Sequence, residues 1–201
     1  NSGARFTKNI NWSDVYTKTS ETDFNGHTTR YEYNYLGHPT KVSTPEGDTH
    51  TWIRDALGQV ASETDVLNRT TTYQYDAMGN QTEVTYQGHT QTFDYDKNGN
   101  RTAATDWLGR NVTFVYNEAD QLIQENHPLN KVIDYTLDGN GNVVTESILV
   151  DGVQQKTNRD YDEFNRVIKE TDAENHVHTW QYDDANNLVL ETNKNSVTTE
   201  Y

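Results

Sequence analysis

Two stretches of the sequence carry oxygen-bearing side chains at alternate positions, an arrangement that opens some calcium-binding loops. They are Asp96-x-Asn98-x-Asn100 and Asp138-x-Asn140-x-Asn142. An EF-hand loop also needs Gly at its sixth position and a bidentate Glu at its twelfth. In these two stretches the sixth residue is Arg or Val, and the twelfth is Trp or Leu. We therefore interpret both as turns and predict no metal site.

The histidines and carboxylates do not form a second candidate site. His176 and His178 could share one face of a strand and hold a metal, but no third ligand stands at a predictable spacing from them. The chain has no cysteine, so a thiolate nucleophile is excluded. Its carboxylates recur with the turns described below and form no unique acid and base pair. The sequence predicts no catalytic residue, no cofactor and no enzymatic activity.

The aromatic residues offer a different chemistry, since exposed Tyr and Trp rings can stack on sugar rings. Trp52, Trp107 and Trp180 are the candidates for such ligand stacking. The competing interpretation is structural, because aromatic pairs across neighbouring strands each stabilise a sheet by about 0.2 to 1 kcal/mol relative to alanine. We favour the structural interpretation and keep glycan binding as the alternative.

These aromatics recur with a period. An aromatic or apolar residue, one spacer and then Tyr return about every 21 residues, with Arg54 in place of one Tyr. The Tyr positions are Tyr33, Tyr75, Tyr95, Tyr116, Tyr135, Tyr161 and Tyr182. A period of this size is typical of one supersecondary unit repeated along an array, so the repeat determines the fold class.

Each repeat contains alternating stretches separated by turn residues. Around Tyr75 the alternation of Thr and Tyr predicts a strand, and Asp76 to Asn80 predicts a tight turn in which Gly79 adopts a positive φ. The same turn position holds Gly37, Gly58, Gly99, Asp120, Gly139, Asn165 and Asn186 in the other copies. A second turn of the same kind follows half a repeat later, as at Asp65 to Asn68. The prediction is an all-β fold of repeated antiparallel hairpins in a long twisted sheet, with almost no helix.

One repeat is longer than the others. Within it Val143 to Val150 and Val153 to Asn158 flank Asp151-Gly152, a strong signal for a two-residue hairpin turn. We predict a lengthened hairpin at 143–158. The repeat pattern also predicts a partial first repeat at 1–22 and a repeat array at 23–201. We expect the whole segment to be part of a longer protein.

Composition limits the class of protein further. Only 32% of the residues are apolar, the mean hydropathy is -1.00 and the formal net charge is -15. Disorder would fit these values, but 13 Tyr, 5 Phe and 4 Trp at regular spacing argue against it. The negative charge argues against nucleic acid as a partner. No stretch has the length and apolar character of a membrane span, and no signal peptide is recognisable.

The repeated motif resembles the YD repeats of the Rhs family. Its copies include Tyr75-Asp76-x-x-Gly79, Tyr95-Asp96-x-x-Gly99, Tyr161-Asp162-x-x-Asn165 and Tyr182-Asp183-x-x-Asn186. The resemblance covers residues from about Asp23 to Tyr201 and implies a segment of a spiral β shell. In that family such shells enclose a C-terminal toxin domain, as in bacterial polymorphic toxins and insecticidal toxin complexes, or serve adhesion, as in teneurins.

The resemblance implies a non-catalytic structural segment of a secreted or cell-surface bacterial protein. Its partners would be the rest of the parent shell and the enclosed toxin domain. The alternative is a carbohydrate-binding or cell-adhesion module with glycans as partners. Unpaired strand edges also predict edge-to-edge self-association of the segment.

Overall fold

The computed structural model describes residues 8–14 and 17–201. In this part of the chain all regular structure is β-strand, every strand pair with a defined register is antiparallel, and no helix is present. The prediction of an all-β fold made of repeated hairpins is confirmed. The chain divides into two compact units, Asn1–Thr92 and Phe93–Tyr201. The part of the predicted partial repeat that falls on residues 1–7 and 15–16 lies outside the described residues.

The first unit is a meander in which each strand pairs with the next one in the sequence. The last strand, β9, continues past Thr92 into the second unit. The strands are β1 (Asn9–Trp12), β2 (Lys18–Thr22), β3 (Thr28–Tyr33), β4 (Pro39–Ser43), β5 (Thr49–Arg54), β6 (Val60–Thr64), β7 (Thr70–Tyr75), β8 (Gln81–Tyr86) and β9 (His89–Tyr95).

The second unit repeats the same meander. Its two longest strands, β14 and β15, form the hairpin in the region predicted to be lengthened, and Asp151 and Gly152 connect them. The strands are β10 (Arg101–Thr105), β11 (Asn111–Tyr116), β12 (Leu122–His127), β13 (Lys131–Leu137), β14 (Val143–Val150), β15 (Val153–Tyr161), β16 (Val167–Thr171), β17 (Val177–Tyr182), β18 (Leu188–Thr192) and β19 (Thr198–Glu200).

Neither unit has a thick core. Among the described residues only Ile133 and Ser147 are buried, each with 8% of its surface exposed. Most strand side chains are half-buried against neighbours on the same face. A single layer of strands buries little apolar surface, so cross-strand contacts and backbone ladders must supply the stability that a core supplies elsewhere.

Two hairpins use two-residue turns in which both residues have positive φ. These turns are Gln87-Gly88 and Asp151-Gly152. The φ values are 49° at Gln87 and 78° at Gly88, and 49° at Asp151 and 81° at Gly152. Positive φ at both central positions is the geometry of the type I′ turn, whose twist matches that of the flanking strands. The first of these turns replaces the longer Asp-to-Gly turn used in most of the array, which shortens its repeat. This turn was not predicted from the sequence.

The structure shifts one repeat by two residues from its predicted alignment. Leu137 pairs with Val143 after a register shift, as Tyr75 pairs with Gln81. Tyr135 therefore lies at the register position of Tyr73, not of Tyr75. The turn residue with positive φ in this repeat is Gly141, at 88°, and not Gly139. Alignment on the tyrosine was misleading here because Leu occupies the usual Tyr position.

Candidate functional site

The repeated Tyr-Asp turn is the candidate site, and the copy at Asp76 shows its geometry. Asp76 Oδ1 accepts hydrogen bonds from the backbone N–H groups of Met78 and Asn80, both at 2.9 Å. The Gly79 N–H donates to the Asp76 carbonyl oxygen at 3.1 Å, and Gly79 has a φ of 90°. This is a type I turn closed by a residue in the left-handed region, which only Gly, Asn and Asp adopt at low cost. The carboxylate therefore holds the turn together.

The same side-chain cap recurs along both edges of each meander. In thirteen turns an Asp or Asn Oδ1 accepts from the backbone N–H groups two and four residues later, whereas the turn that begins at Thr44 has the same backbone hydrogen bonds without this cap. The capping residues are Asp23, Asn34, Asp55, Asp65, Asp76, Asp96, Asp106, Asn117, Asp138, Asp162, Asp172, Asp183 and Asn193.

Hydrogen bonds to these carboxylates favour their ionised form. The Asn80 side chain and the backbone N–H groups of the turn lower the pKa of Asp76, and Asn100 does the same for Asp96. The Arg69 guanidinium lowers the pKa of Asp65. Asp96 and Asp138, which resemble the start of a calcium loop in sequence, thus direct their Oδ1 atoms at backbone N–H donors of their own turns.

In five hairpins a tyrosine stands before the turn and ties it to the neighbouring strand. The Tyr75 hydroxyl donates to the Val60 carbonyl oxygen at 3.0 Å. Tyr33 and Tyr116 donate in the same way to the carbonyl oxygens of Lys18 and Arg101, also at 3.0 Å. The remaining copies of this bond are Tyr161 to Val143 and Tyr182 to Val167. Tyr95 occupies the corresponding position before Asp96.

Tyr73 and Tyr135, each two residues before the position that precedes the turn, bind a glutamate on the preceding strand. The Tyr73 hydroxyl donates to Glu63 Oε1 at 2.7 Å, and the Tyr135 hydroxyl donates to Glu125 Oε1 at 2.9 Å. Burial and the neighbouring glutamate raise the pKa of Tyr73 and of Tyr135 to about 12. Tyr135 therefore corresponds to Tyr73, because its hydroxyl binds a glutamate, whereas the hydroxyl of Tyr75 binds a backbone carbonyl.

Trp52 and Trp180 lie in matching side-chain clusters, one in each unit. His50 and Trp52 stack with ring centroids 4.1 Å apart, and His178 and Trp180 stack at 4.0 Å. Trp52 Nε1 donates to Glu63 Oε2 at 3.2 Å. One face of each indole ring is thus covered by a histidine.

The second cluster has its own glutamate. His178 Nε2 lies 2.7 Å from Glu191 Oε1, and the Tyr201 hydroxyl donates to Glu191 Oε2 at 2.8 Å. Trp107 differs from Trp52 and Trp180, because it lies in a turn with 38% of its surface exposed. These clusters were not predicted from the sequence, although it shows a repeated His-Thr-Trp followed by Glu at a fixed spacing.

Successive turns along one edge are also bonded to each other. The residue after the left-handed position reaches the next turn: Gln59 Nε2 donates to the Gly79 carbonyl oxygen at 3.1 Å, and Asn142 Nδ2 donates to Asn165 Oδ1 at 2.7 Å. Asn100 binds Asp120, and Arg166 binds Asn186, in the same way. These polar side chains therefore form hydrogen bonds to other residues of the same sheet.

The described part of the chain contains no cluster of three His, Asp or Glu side chains grouped as metal ligands. No helix in residues 8–14 and 17–201 is long and apolar enough to cross a membrane.

A single-layer meander of hairpins, most of them closed by a capped turn, defines a β-hairpin repeat protein. The family described as RHS Repeat matches residues 19–49, 54–90 and 161–198, which together make up more than half of the chain. The chain belongs to this family. The resemblance seen in the sequence is therefore confirmed. No match was found among curated proteins.

Two solved structures share the fold over nearly the whole chain. One is the crystal structure of TcdB2-TccC3 without its hypervariable C-terminal region, with a TM-score of 0.70 and 17% identity. The other is the crystal structure of TcdB2-TccC3, with the same TM-score and identity. The chain is covered to 96% in both comparisons, but it spans only 11% and 12% of the matched chains. The similarity shows the fold.

Proposed function

We propose that this chain is a non-catalytic structural segment of a larger Rhs-repeat shell that encloses or supports a toxin domain outside the cell. Membership of the family and the fold shared with part of TcdB2-TccC3 support the proposal. The observation that carries it is the use of the repeated tyrosines and aspartates. Their hydroxyl and carboxylate groups bind the backbone of the sheet itself, as Tyr75 and Asp76 do.

A structural role explains why the motif is repeated at all. An active site needs one set of groups that differs chemically from its surroundings, with pKa values matched to a reaction. Asp76, Asp96 and Asp138 instead share one geometry, and hydrogen bonds lower the pKa of all three. A set of equivalent carboxylates stabilises a wall evenly, and this is what a shell requires.

Limited proteolysis of the full-length parent protein tests the enclosure. The toxin domain should be cut much more slowly in the intact parent than after its separate expression. A parent carrying Asp76→Ala, Asp96→Ala and Asp162→Ala, which weaken three turns, should lose part of that protection. The control parent carries Tyr35→Phe, a change at an exposed side chain. Equal cleavage rates for the enclosed and the separate toxin domain would refute the proposal.

The adhesion alternative predicts a different result. If the segment binds sugars, a glycan array probed with it should give signals. These signals should disappear in the Trp107→Ala variant, because the Trp107 ring is accessible. The shell proposal predicts no such signals.

A further inference from the structure

One turn in the first unit departs from the repeat in two ways at once. Arg54 pairs with Val60 after a register shift and so occupies the position that Tyr33 and Tyr75 hold in their hairpins. Those tyrosines donate to a carbonyl on the preceding strand. Arg54 instead donates from Nη1 to the carbonyl oxygen of Gly58 in its own turn, at 3.0 Å. Its Nε is buried and has no hydrogen-bond partner.

The second departure is at His38, the residue that should reach the next turn. In the other hairpins Gln59, Asn142 and Arg166 make this turn-to-turn hydrogen bond. His38 Nδ1 is buried without a partner, and its ring lies against Gly58, where an added Cβ would be 3.4 Å from His38 Cε1. Arg54 therefore binds Gly58, and the His38 ring lies on the side of Gly58 where a Cβ would be.

A pocket opens beside Arg54 and Gly58, and His38 is not among the residues that line it. Its volume is about 280 Å³, and Arg54, Thr40, Tyr35, Leu36 and Ala56 are among the residues that line it. Tyr35 and Leu36 form an apolar rim and are 95% and 58% exposed. Asp55 also lines the pocket, but its Oδ1 accepts from the N–H groups of Leu57 and Gln59 in the turn. Gln59 Oε1 is buried without a partner as well, but Gln59 does not line the pocket.

We propose that this pocket binds the carboxylate of an Asp or Glu side chain on a partner polypeptide, with an apolar residue next to it in contact with Tyr35 and Leu36. A guanidinium presents several N–H donors in a planar fork that matches a carboxylate. A buried N–H without a partner costs free energy that an incoming acceptor recovers. The apolar rim adds contact area for the flanking residue.

The net charge of the chain gives the interaction a specific salt dependence. A formal charge of -15 repels an acidic partner at long range, and salt screens this repulsion. The contact between Arg54 and a carboxylate inside the pocket is screened less, because the Nε atom is buried. Binding should therefore be retained, or strengthened, when salt is raised from low to moderate concentration.

Titration of the 201-residue chain with two matched peptides tests the proposal. Acetyl-Leu-Glu-Leu-amide and acetyl-Leu-Gln-Leu-amide differ only in the charge of the central side chain. With ¹⁵N-labelled protein, the Glu peptide should shift the Arg54 Nε–H resonance and the amides of Leu36 and Gly58 in a saturable way. It should bind about tenfold more tightly than the Gln peptide, as expected for a charge-assisted hydrogen bond.

Two variants of equal charge identify the residue responsible. Arg54→Tyr restores the residue of the other repeats and should abolish the preference for the Glu peptide. Arg69→Gln removes a positive charge from an exposed ion pair with Asp65 at the opposite edge of the same unit and should leave the preference intact.

Four outcomes would overturn the proposal. They are no saturable shift in the unaltered chain, equal affinity for both peptides, an undiminished preference in Arg54→Tyr, or an equal loss in Arg69→Gln. The Arg54 Nε–H shift is read in the unaltered chain, so the test holds even if Arg54→Tyr fails to fold. None of these outcomes depends on whether a toxin is enclosed.

Discussion

The Tyr73 hydroxyl donates a 2.7 Å hydrogen bond to Glu63 Oε1 on the neighbouring strand. In a sheet without a thick core, such a bond across the face does part of the work that apolar packing does elsewhere. It also changes the chemistry of both partners. The hydroxyl lowers the pKa of Glu63, while burial and the carboxylate raise the pKa of Tyr73 to about 12.

The tyrosine–glutamate bonds should make the segment sensitive to alkali. A tyrosine whose pKa is raised in the folded state contributes stability below its unfolded pKa of about 10, and this is lost as the pH rises towards 12. Tyr73 and Tyr135 both follow this rule. The unfolding free energy, measured by urea titration, should fall between pH 10 and 12. The fall should be smaller in Tyr73→Phe/Tyr135→Phe, and an unchanged slope would contradict the assignment.

The hydroxyl of Tyr75 should contribute measurably to stability. Tyr75→Phe removes its hydrogen bond to the Val60 carbonyl oxygen and should cost about 1 kcal/mol in the free energy of unfolding. Tyr35→Phe is the matched control, because that side chain is 95% exposed and should change stability by less than about 0.5 kcal/mol. Equal losses in the two variants would show that the hydroxyl bond is not the cause.

The shifted register of one repeat can be tested with two glycines of the same turn. Gly141 has a φ of 88°, and an added Cβ would lie 2.5 Å from Gln121 Nε2. Gly139 has no positive φ and no atom within 4 Å of an added Cβ. Gly141→Ala should therefore destabilise the segment by about 1 kcal/mol, while Gly139→Ala should be neutral or slightly stabilising. The reverse order, measured by thermal or urea unfolding, would favour the alignment that places the turn at Gly139.

The turn carboxylates should make the fold sensitive to acid. The pKa values of Asp76 and Asp96 are lowered in the folded state, so the contribution of these two groups is present above the unfolded pKa of about 4 and is lost as the pH falls through the lower folded value. Asp76→Asn keeps the oxygen that caps the turn, as Asn34 does in its own turn. It should retain most of the stability at pH 7 and reduce the loss below pH 4.

Asp76→Ala removes the cap entirely and provides the comparison. It should cost about 1 kcal/mol at pH 7, because two backbone N–H groups lose their acceptor. If Asp76→Asn were as unstable as Asp76→Ala at pH 7, charge rather than capping would stabilise the turn.

Much of the fold could be predicted because its determinants are local. Alternation of Thr and Tyr before Tyr75 predicts a strand, and Asp76 and Gly79 predict the turn, since each acts through the backbone of residues nearby. The misplaced repeat shows the limit of this reasoning. Leu137 has no hydroxyl, so the motif pointed to Tyr135, and only the pairing of Leu137 with Val143 shows where the strand ends.

The sequence by itself determined the repeat, the turn chemistry and the all-β class, because a period near 21 residues and a turn of five residues are properties of the chain. The tertiary structure decided which groups meet across strands. Glu63 lies beside Tyr73 and Trp52, and His38 lies beside Gly58 of the next turn along the edge, through pairings between strands. Such contacts depend on strand register, and a register shift of a single residue moves a side chain to the opposite face of the sheet.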